Sequence, residues 1–372
     1  MRAARDPLVD ASRRLAAARF AFAFAFAFAL VTGDTPLDVP SPQDVPSPQD
    51  APSPQDAPSP LPRVHVTRAD IDDAAQRIAA HVRETPVLRM EPGAFGVDGA
   101  LYLKLESLQH TGSFKVRGAF NRMLSAEVPS SGVIAASGGN HGVAVAYAAL
   151  RLGHRAEIFV PVTASPVKVE RLRRYGAHVT QIGDRYADAL AASQLRAAET
   201  GALEVHAFDQ PEVVAGQGTV GREFDAQAPG LDTVLVAVGG GGLIAGIASW
   251  YGDAASVVSV EPERAPTLSA ALSAGKPLKV SVSGVAVDAL GASQAGDIAF
   301  DVARRHVRHA ILIPDDAILA AQRALWEELR FAAEPSGATA LAALMSGAYP
   351  RRSGERIGVV VCGGNADLRA LA

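Results

Sequence analysis

The stretch Thr233-Val-Leu-Val-Ala-Val-Gly-Gly-Gly-Gly-Leu-Ile-Ala-Gly246 decides the fold class of this 372-residue chain. Its first six residues, up to Val238, are mostly β-branched and apolar, which predicts a buried strand. Four glycines follow, and a helix is predicted to open at Leu243. Such a loop predicts a phosphate site, because exposed backbone N–H groups and the helix dipole meet there. The alternative interpretation of the glycines is a flexible connector.

Short β-branched runs alternate with helical stretches along the rest of the chain. This alternation predicts parallel-rich sheets flanked by helices, which is an α/β fold. Ligands in such folds bind at the carboxyl ends of strands, where loops and helix N-termini converge. The other runs that predict buried strands are Val133–Ala136, Glu157–Val160, Val179–Ile182, Val257–Val260, Ala310–Ile313 and Arg356–Val361.

Two helix starts carry clear capping signals. Thr67 with Asp70 three residues later is typical of a helix N-terminus, and the amphipathic stretch behind it reaches about Val82. Ser165 followed by Pro166 predicts a second helix, because proline is tolerated at the first helical position.

Two further glycine-rich loops follow predicted strands. Ser137-Gly138-Gly139-Asn140-His141-Gly142 comes after one of them, and Cys362-Gly363-Gly364-Asn365 comes after another. A tight turn with a capping Asn explains the first loop structurally, and a small buried hydrophobe explains the cysteine. At the carboxyl ends of strands, however, both loops are also placed to contact a ligand, because glycines let backbone N–H groups approach it closely.

The composition excludes several classes of protein. The formal net charge of −4 provides no basic field for a phosphate backbone, so no nucleic-acid partner is predicted. We interpret the arginine groups of the chain as solvated helix faces; they are Arg171, Arg173 and Arg174, and Arg304 with Arg305. The one cysteine rules out an intrachain disulfide and a multi-cysteine zinc site, which fits a reducing, cytoplasmic location.

Residues 1–62 differ from the remainder of the chain. Residues 38–61 are four hexapeptide units rich in proline, which predict a disordered, low-complexity extension. The apolar run Phe20–Leu30 imitates a signal peptide, but it is too short to span a bilayer and no membrane partner is predicted. An export signal and a dispensable tail both remain open interpretations.

A resemblance to a known family rests on motifs in one order along the chain. Ser113-Phe114-Lys115, the Ser137–Gly142 loop, the tetraglycine and Cys362–Asn365 together resemble the pyridoxal-phosphate enzymes of fold type II, the tryptophan-synthase-β fold. Within them the chain is similar to the threonine/serine dehydratases, or ammonia-lyases. Three further segments resemble that branch: His206–Pro211, Ala215–Gly221 and Glu334–Ala338.

The resemblance implies two domains and a homodimer. Residues 63–136 and 212–372 would form a large domain that binds pyridoxal 5'-phosphate, and residues 137–211 a small mobile one. Biosynthetic threonine deaminases append a domain that senses isoleucine. The chain stops soon after Cys362, so feedback inhibition by that route is not expected.

The resemblance also assigns roles to the cofactor-binding residues. Lys115 would form the Schiff base with the cofactor and act as the base at Cα. The amides of Gly239, Gly240, Gly241, Gly242 and Leu243 would hold the phosphate. Asn140 would hydrogen-bond the ring hydroxyl, Phe114 would pack on a ring face, and Cys362 would meet the pyridine nitrogen. A thiol donates only weakly, so the ring is a poorer electron sink and prompt elimination is favoured.

On the substrate side, Ser137 and His141 would hold the carboxylate, and Glu334 would lie near the hydroxyl that leaves. Serine racemases carry a serine where this chain has Gly138, and glycine has no proton to give. The implied reaction is therefore elimination: L-threonine would give 2-oxobutanoate and ammonia, and L-serine would give pyruvate and ammonia.

Four alternatives stay open. The first two are related pyridoxal-phosphate enzymes, a 3-hydroxyaspartate dehydratase and a serine racemase. The third is a non-catalytic pyridoxal-phosphate carrier. The fourth is a nicotinamide-dependent oxidoreductase, because Gly240-x-Gly242-x-x-Ala245 with Glu261 behind it fits the dinucleotide fingerprint.

No metal site is predicted. Some relatives bind a divalent cation through a Glu and an Asp six residues later, but this chain has Glu261 followed by Thr267. His306 and His309 are interpreted as surface residues.

Overall fold

A computed structural model of the protein describes residues 65–367 and residue 369. The predictions of a disordered extension and of an export signal concern residues 1–62 and lie outside this range. Among the described residues, no helix combines the length and the apolar character that crossing a membrane requires.

Strands and helices alternate through the described range. The strands are β1 Val87–Met90, β2 Leu101–Leu105, β3 Val133–Ala136, β4 Ala156–Val160, β5 His178–Gln181, β6 Leu203–Glu204, β7 Thr233–Ala237, β8 Ser256–Pro262, β9 Val307–Ile313 and β10 Ile357–Val361. The α-helices are α1 Arg68–Ile78, α2 Lys115–Leu124, α3 Asn140–Leu152, α4 Pro166–Arg174, α5 Tyr186–Thr200, α6 Pro211–Gln227, α7 Gly242–Tyr251, α8 Thr267–Ala274, α9 Val287–Leu290, α10 Asp297–His306, α11 Asp315–Leu329 and α12 Pro335–Met345.

These strands form two sheets. The larger one has the order β1-β2-β10-β7-β8-β9, and within it only β1 runs antiparallel to its neighbour. The smaller one has the order β5-β4-β3-β6, and all its pairs are parallel. Each sheet has its own buried apolar cluster. The prediction of an α/β fold with parallel-rich sheets is confirmed.

All seven strands that the sequence predicted are present, and their bounds agree to within three residues. Strands β1, β2 and β6 were missed. Arg89 and Lys104 interrupt the apolar pattern of β1 and β2, and β6 is only two residues long.

The two predicted caps are present. Asp70 N donates to Thr67 Oγ1, while the Asp70 carboxylate accepts from Thr67 N, so α1 begins with a capping box. Helix α1 ends at Ile78, earlier than the predicted Val82, because a turn closed by His81 N and Ile78 O follows it. Ser165 Oγ accepts from Lys168 N at the start of α4.

The sheet topology sends three glycine-rich loops toward one region. The loops follow β3 in the smaller sheet and the adjacent strands β7 and β10 in the larger one. The smaller sheet starts with β3 at Val133, four residues before the predicted start of the small domain. The independent mobility of residues 137–211 stays a prediction.

Candidate active site

A cavity of about 480 Å³ opens where the three glycine loops meet. Its lining includes all thirteen residues that the sequence assigned to the site. These are Phe114, Lys115, Ser137, Gly138, Asn140, His141, Gly239, Gly240, Gly241, Gly242, Leu243, Glu334 and Cys362.

The tetraglycine loop leads directly into helix α7. Gly241 is the N-cap residue with φ +91°, a conformation that favours glycine, and the helix begins at Gly242, one residue before the predicted start. The carbonyl oxygen of Gly239 accepts from Thr267 Oγ1, that of Gly240 from Gly296 N, and that of Gly241 from Ala245 N. The first N–H groups of a helix have no partner within it, so this end of the loop offers donors to an anion.

Close packing explains why these positions are glycines. A Cβ on Gly239 would lie 2.8 Å from the backbone of Leu290, and a Cβ on Gly240 would collide with the ring of Phe208. Phe208 lines the cavity but was not assigned to the site by the sequence. Phe208 belongs to the segment His206–Pro211, whose resemblance to the family could have identified it as a site residue.

The segment His206–Pro211 is held by its own hydrogen bonds and caps one helix. His206 Nδ1 accepts from the backbone N–H groups of Phe208 and Asp209, which fixes the turn. The Asp209 carboxylate in turn accepts from Asp297 N and Ile298 N, each at 3.0 Å, and so caps helix α10. The segment therefore supports the glycine loop and the helix packed behind it.

Lys115 is the first residue of helix α2, and its amine projects into the cavity. Nζ donates to Ala207 O over 2.7 Å, and burial lowers the pKa of Lys115 to about 8. Phe114 N donates to Cys362 O, and an isolated β-bridge joins Ser113 to Gly363. These backbone contacts hold the lysine beside the loop that follows β10.

Glu334 is a buried carboxyl group that two side chains hold in place. Its Oε1 accepts from Asn140 Nδ2 over 2.6 Å and from Ser336 Oγ over 2.7 Å. Burial raises the pKa of Glu334, and these two hydrogen bonds oppose the rise in part. A Cβ on Gly363 would collide with Oε1, so the glycine at that position is needed. Ser336 lines the cavity and was not assigned by the sequence, although it lies in the quoted segment.

Cys362 lines the cavity as a neutral thiol. Burial raises its pKa to about 12, and Sγ lies 3.4 Å from Ser336 O. Among the described residues this is the one cysteine, and it is buried. A protonated thiol can donate or accept one weak hydrogen bond but carries no charge near neutral pH.

The loop after β3 supplies the predicted substrate contacts. Ser137 Oγ accepts from Gly139 N, and helix α3 begins at Asn140, so its first N–H groups lie at the cavity. His141 Nε2 contacts Val205 O, and burial lowers the pKa of His141 to about 3. Its ring is therefore uncharged, and a carboxylate contact by this side chain stays a prediction. Gly138 lines the cavity with room for a side chain, because a Cβ would have its nearest contact at 3.5 Å.

The interpretation of Arg171 as part of a solvated helix face is wrong. Its guanidinium donates to Thr111 O over 2.8 Å and to Asn365 Oδ1 over 2.6 Å. These partners are far from α4 in the sequence, so the local pattern of α4 gave no sign of them. Arg173 on the same helix is exposed, as predicted.

Glu261 is fully buried, and both its carboxylate oxygens have donors. Oε1 accepts from Leu268 N and Oε2 from Ser269 N, at 2.7 and 2.8 Å. Thr267 Oγ1 lies 3.1 Å from Oε1 and also donates to Gly239 O. Burial raises the pKa of Glu261 to about 7. In the part of the chain that the structure describes, no group of three or more His, Cys, Asp or Glu side chains is placed to hold a metal ion.

These observations fit a pyridine cofactor that carries a phosphate and an aldehyde. The start of α7 provides backbone donors for the phosphate, and Lys115 provides an amine with a lowered pKa for the aldehyde. Asn140 provides a side-chain amide, and Cys362 provides an uncharged thiol. All four groups line one cavity.

Comparison with known proteins agrees with this chemistry. Residues 78–363 match the family described as pyridoxal-phosphate dependent enzyme. A phenylserine dehydratase from Ralstonia pickettii is 37% identical over 301 residues, which cover 80% of this chain and 92% of that protein. An L-threonine ammonia-lyase from Geobacter sulfurreducens is 37% identical over 307 residues, which cover 81% of this chain and 76% of that protein.

The fold also has a close match among solved structures. The structure of maize serine racemase superposes with a TM-score of 0.78 at 35% sequence identity, covering 83% of this chain and 96% of that one. Dehydratases and a racemase are thus similar to this chain at nearly the same identity, so the comparisons establish the family and its cofactor without distinguishing the reaction. Its cavity, its sheets and these relatives together place the chain among the pyridoxal-phosphate dependent enzymes of fold type II, and its cofactor is pyridoxal 5'-phosphate.

Proposed function

We propose that this protein is a threonine/serine dehydratase, also called an ammonia-lyase. It converts L-threonine to 2-oxobutanoate and ammonia, and L-serine to pyruvate and ammonia. The observation that carries the proposal is a pair of titratable groups in one cavity: burial lowers the pKa of the Lys115 amine to about 8 and raises the pKa of the Glu334 carboxyl. Groups whose environments shift their pKa values in this way are suited to act as base and acid near neutral pH.

Lys115 acts as the base at Cα of the substrate. Burial lowers the pKa of Lys115 to about 8, so its amine gives up a proton more readily than that of an ordinary lysine. The hydrogen bond to Ala207 O holds Nζ at the cavity. The amine takes the α-proton and becomes an ammonium.

Glu334 acts as the acid at the β-hydroxyl. Burial favours its protonated form, and Asn140 and Ser336 fix the position of its Oε1. The carboxyl proton passes to the hydroxyl oxygen as the Cβ–O bond breaks, and water leaves. Tautomerisation and addition of one water to the eliminated product release ammonia and the keto acid, so that no oxidant or reductant is needed.

The chain's own residues hold the cofactor during these steps. When bound, pyridoxal phosphate withdraws electrons from Cα and so acidifies the α-proton. The amides at the start of α7 would bind its phosphate, Asn140 would donate to its ring hydroxyl, and Phe114 would pack against its ring. The neutral Cys362 thiol would face the ring nitrogen and could not charge it, so the bound cofactor would withdraw electrons less strongly and elimination would be favoured.

Gly138 supports elimination over racemisation. Racemisation requires a proton donor on the face of Cα opposite to Lys115, and glycine provides none. A side chain would have space at this position, because the nearest atom to a Cβ would be Val160 Cγ1 at 3.5 Å. Glycine itself has no hydroxyl to donate a proton. The relatives include a phenylserine dehydratase. The main alternative is therefore a substrate with a bulkier β-substituent than the methyl group of threonine. A 3-hydroxyaspartate dehydratase is a further alternative.

The test is a substrate panel on the purified, cofactor-loaded protein. We expect keto acid and ammonia in equal amounts from L-threonine or L-serine, with 3-phenylserine and 3-hydroxyaspartate turned over more slowly. D-serine is measured in the same reactions. Conversion of L-serine to D-serine without keto acid would show a racemase, and absence of turnover on the whole panel would overturn the proposal.

The homodimer that the resemblance implies and the cytoplasmic location that the cysteine content indicates are also proposed. Sedimentation of the purified protein tests the first, since a monomer at micromolar concentration contradicts it. Fractionation of the source cells tests the second.

A further inference from the structure

A line of four polar side chains crosses from the smaller sheet's helix α4 to the buried carboxyl of the active site. Arg171 donates to Asn365 Oδ1, Asn365 Nδ2 donates to Asn140 Oδ1, and Asn140 Nδ2 donates to Glu334 Oε1. Each of these three distances is 2.6 Å. The role proposed above for the active site does not involve Arg171 or Asn365.

The chemistry of these groups fixes which atom donates and which accepts in each hydrogen bond of the line. A guanidinium can only donate, so the atom of Asn365 that faces Arg171 must be its oxygen. The amide nitrogen of Asn365 then faces Asn140, which must accept with its own oxygen. Asn140 is left with its NH₂ group pointing to Glu334 and to the cavity. Asparagine can otherwise exchange its O and N positions at little cost, and Arg171 removes that freedom.

The surroundings lock Asn365 in the same orientation. Thr111 O accepts from both Arg171 and Asn365 Nδ2, at 2.8 and 3.0 Å. Thr111 has φ +62°, an unusual value for threonine, and precedes the segment of Lys115. A Cβ on Gly112 would lie 2.5 Å from Asn365 Oδ1, so the amide packs directly on this backbone.

We propose that Arg171 is a positioning residue, which acts through Asn365 to make Asn140 present its NH₂ group to the cofactor and to Glu334. This inference rests on the cofactor contact proposed above for Asn140. An amide NH₂ group donates to the ring hydroxyl oxygen, whereas the flipped amide would present an oxygen and leave two acceptors face to face. Arg171 also places a positive charge near the Glu334 carboxyl, which lowers its pKa and opposes the effect of burial.

The variant Asn365→Asp separates the direction of the amides from the charge of Arg171. Aspartate keeps two acceptor oxygens, so it still pairs with Arg171. It has no N–H to give, and therefore Asn140 must turn its NH₂ group toward residue 365 and its oxygen toward the cavity. Arg171→Ala removes the donor that faces Asn365 Oδ1 and leaves Thr111 O to orient the amide. Arg171→Lys restores a donor, and Arg173→Ala on the exposed face of α4 is the matched control.

The experiment measures binding of pyridoxal 5'-phosphate to the full-length apoprotein by equilibrium dialysis, together with the visible spectrum of the bound form between pH 6 and 9. We expect Arg171→Ala and Asn365→Asp each to weaken binding about tenfold, the size of one lost hydrogen bond to a charged group. Both should also shift the pH midpoint of the spectrum. Arg171→Lys should recover most of the affinity, and Arg173→Ala should match the wild type.

Three results overturn the inference: wild-type affinity and spectrum in Arg171→Ala, wild-type behaviour in Asn365→Asp, or an equal loss in Arg171→Ala and Arg173→Ala. Circular dichroism of each variant identifies any that fails to fold, and Arg171→Lys with Asn365→Asp then decides between the outcomes. Cofactor affinity is measured without any substrate. A protein that binds the cofactor as expected but produces no keto acid would therefore contradict the proposed dehydratase alone.

Discussion

Asn140 Nδ2 lies 2.6 Å from Glu334 Oε1, although 194 positions separate the two residues. The bond joins the first residue of α3, which follows the smaller sheet's strand β3, to the N-cap residue of α12 in the larger part of the molecule. A side chain proposed to bind the cofactor is thus bonded to the side chain proposed to protonate the leaving hydroxyl. A change that breaks this hydrogen bond should therefore affect both functions.

Replacing Lys115 by alanine should abolish both covalent cofactor attachment and turnover. The amine is the base at Cα, and a primary amine is needed to bond the cofactor aldehyde. We expect kcat to fall by at least about 10³-fold. Borohydride reduction followed by peptide mapping should find the cofactor on Lys115 in the wild type and nowhere in the variant. Cofactor fixed at another lysine would contradict this assignment.

Replacing Glu334 by glutamine should separate binding from catalysis. Glutamine keeps an oxygen that can accept from Asn140 and Ser336, so the side chain should stay in place. It has no acidic proton, and we expect kcat to fall about 10²- to 10⁴-fold with the cofactor affinity changed by less than about threefold. Steady-state kinetics with L-threonine measure the fall in kcat, and equilibrium dialysis measures the affinity for the cofactor. Full activity in Glu334→Gln would remove the carboxyl from the mechanism.

The sequence was sufficient to predict those site residues that lie in short contiguous motifs at the ends of strands. The tetraglycine, the Ser137–Gly142 loop and the Cys362 loop each follow a buried strand, and parallel strands bring their carboxyl ends together. The α/β class and the cavity lining could be predicted for this reason. The glycines, however, were interpreted as phosphate binders or as a flexible connector, whereas Phe208 and Leu290 also leave no room for side chains there.

What the sequence missed depends on contacts between distant segments. Lys104 interrupts the apolar pattern of β2, but its amine is fully buried and donates to Thr85 O, Glu223 and Gln227. The strand tolerates the lysine because these partners come from elsewhere in the chain. Arg171 was misjudged for the same reason, since its partner Asn365 is 194 positions away.

Placing a serine at position 138 should raise racemisation relative to elimination. The change Gly138→Ser fits the structure, because the nearest atom to the new Cβ is Val160 Cγ1 at 3.5 Å. Its hydroxyl supplies the proton that glycine lacks. We expect the ratio of D-serine to pyruvate formed from L-serine to rise at least about fivefold over the wild type, as measured by chiral chromatography. Gly138→Ala is the control for bulk, and a rise of equal size in that variant would exclude the hydroxyl as the cause.

The stability of the protein should depend on pH through Glu355, which lies outside the active-site cavity. Its carboxylate is buried and accepts from Thr233 Oγ1 at 2.6 Å, from Tyr349 OH at 2.7 Å and from Arg352 N at 2.8 Å. Burial alone opposes ionisation, but these hydrogen bonds outweigh it and lower the pKa of Glu355 to about 2. A carboxyl whose pKa is lower in the folded state stabilises that state above its unfolded pKa of about 4.5 and loses this contribution as the pH falls through 2. The contribution at pH 7 is on the order of 3 kcal/mol.

Replacing Glu355 by glutamine tests this dependence. The variant should have a lower free energy of unfolding at pH 7 by about 2–3 kcal/mol, because glutamine cannot ionise and one of its two polar atoms is a donor facing Arg352 N. At pH 3 the difference from the wild type should fall to about half or less, since the folded wild type then loses most of its advantage. Urea unfolding of both proteins at the two pH values gives the comparison, and Glu263→Gln, at an exposed carboxyl, is the control. A difference that stays constant between pH 7 and pH 3 would show that Glu355 contributes through packing rather than through its charge.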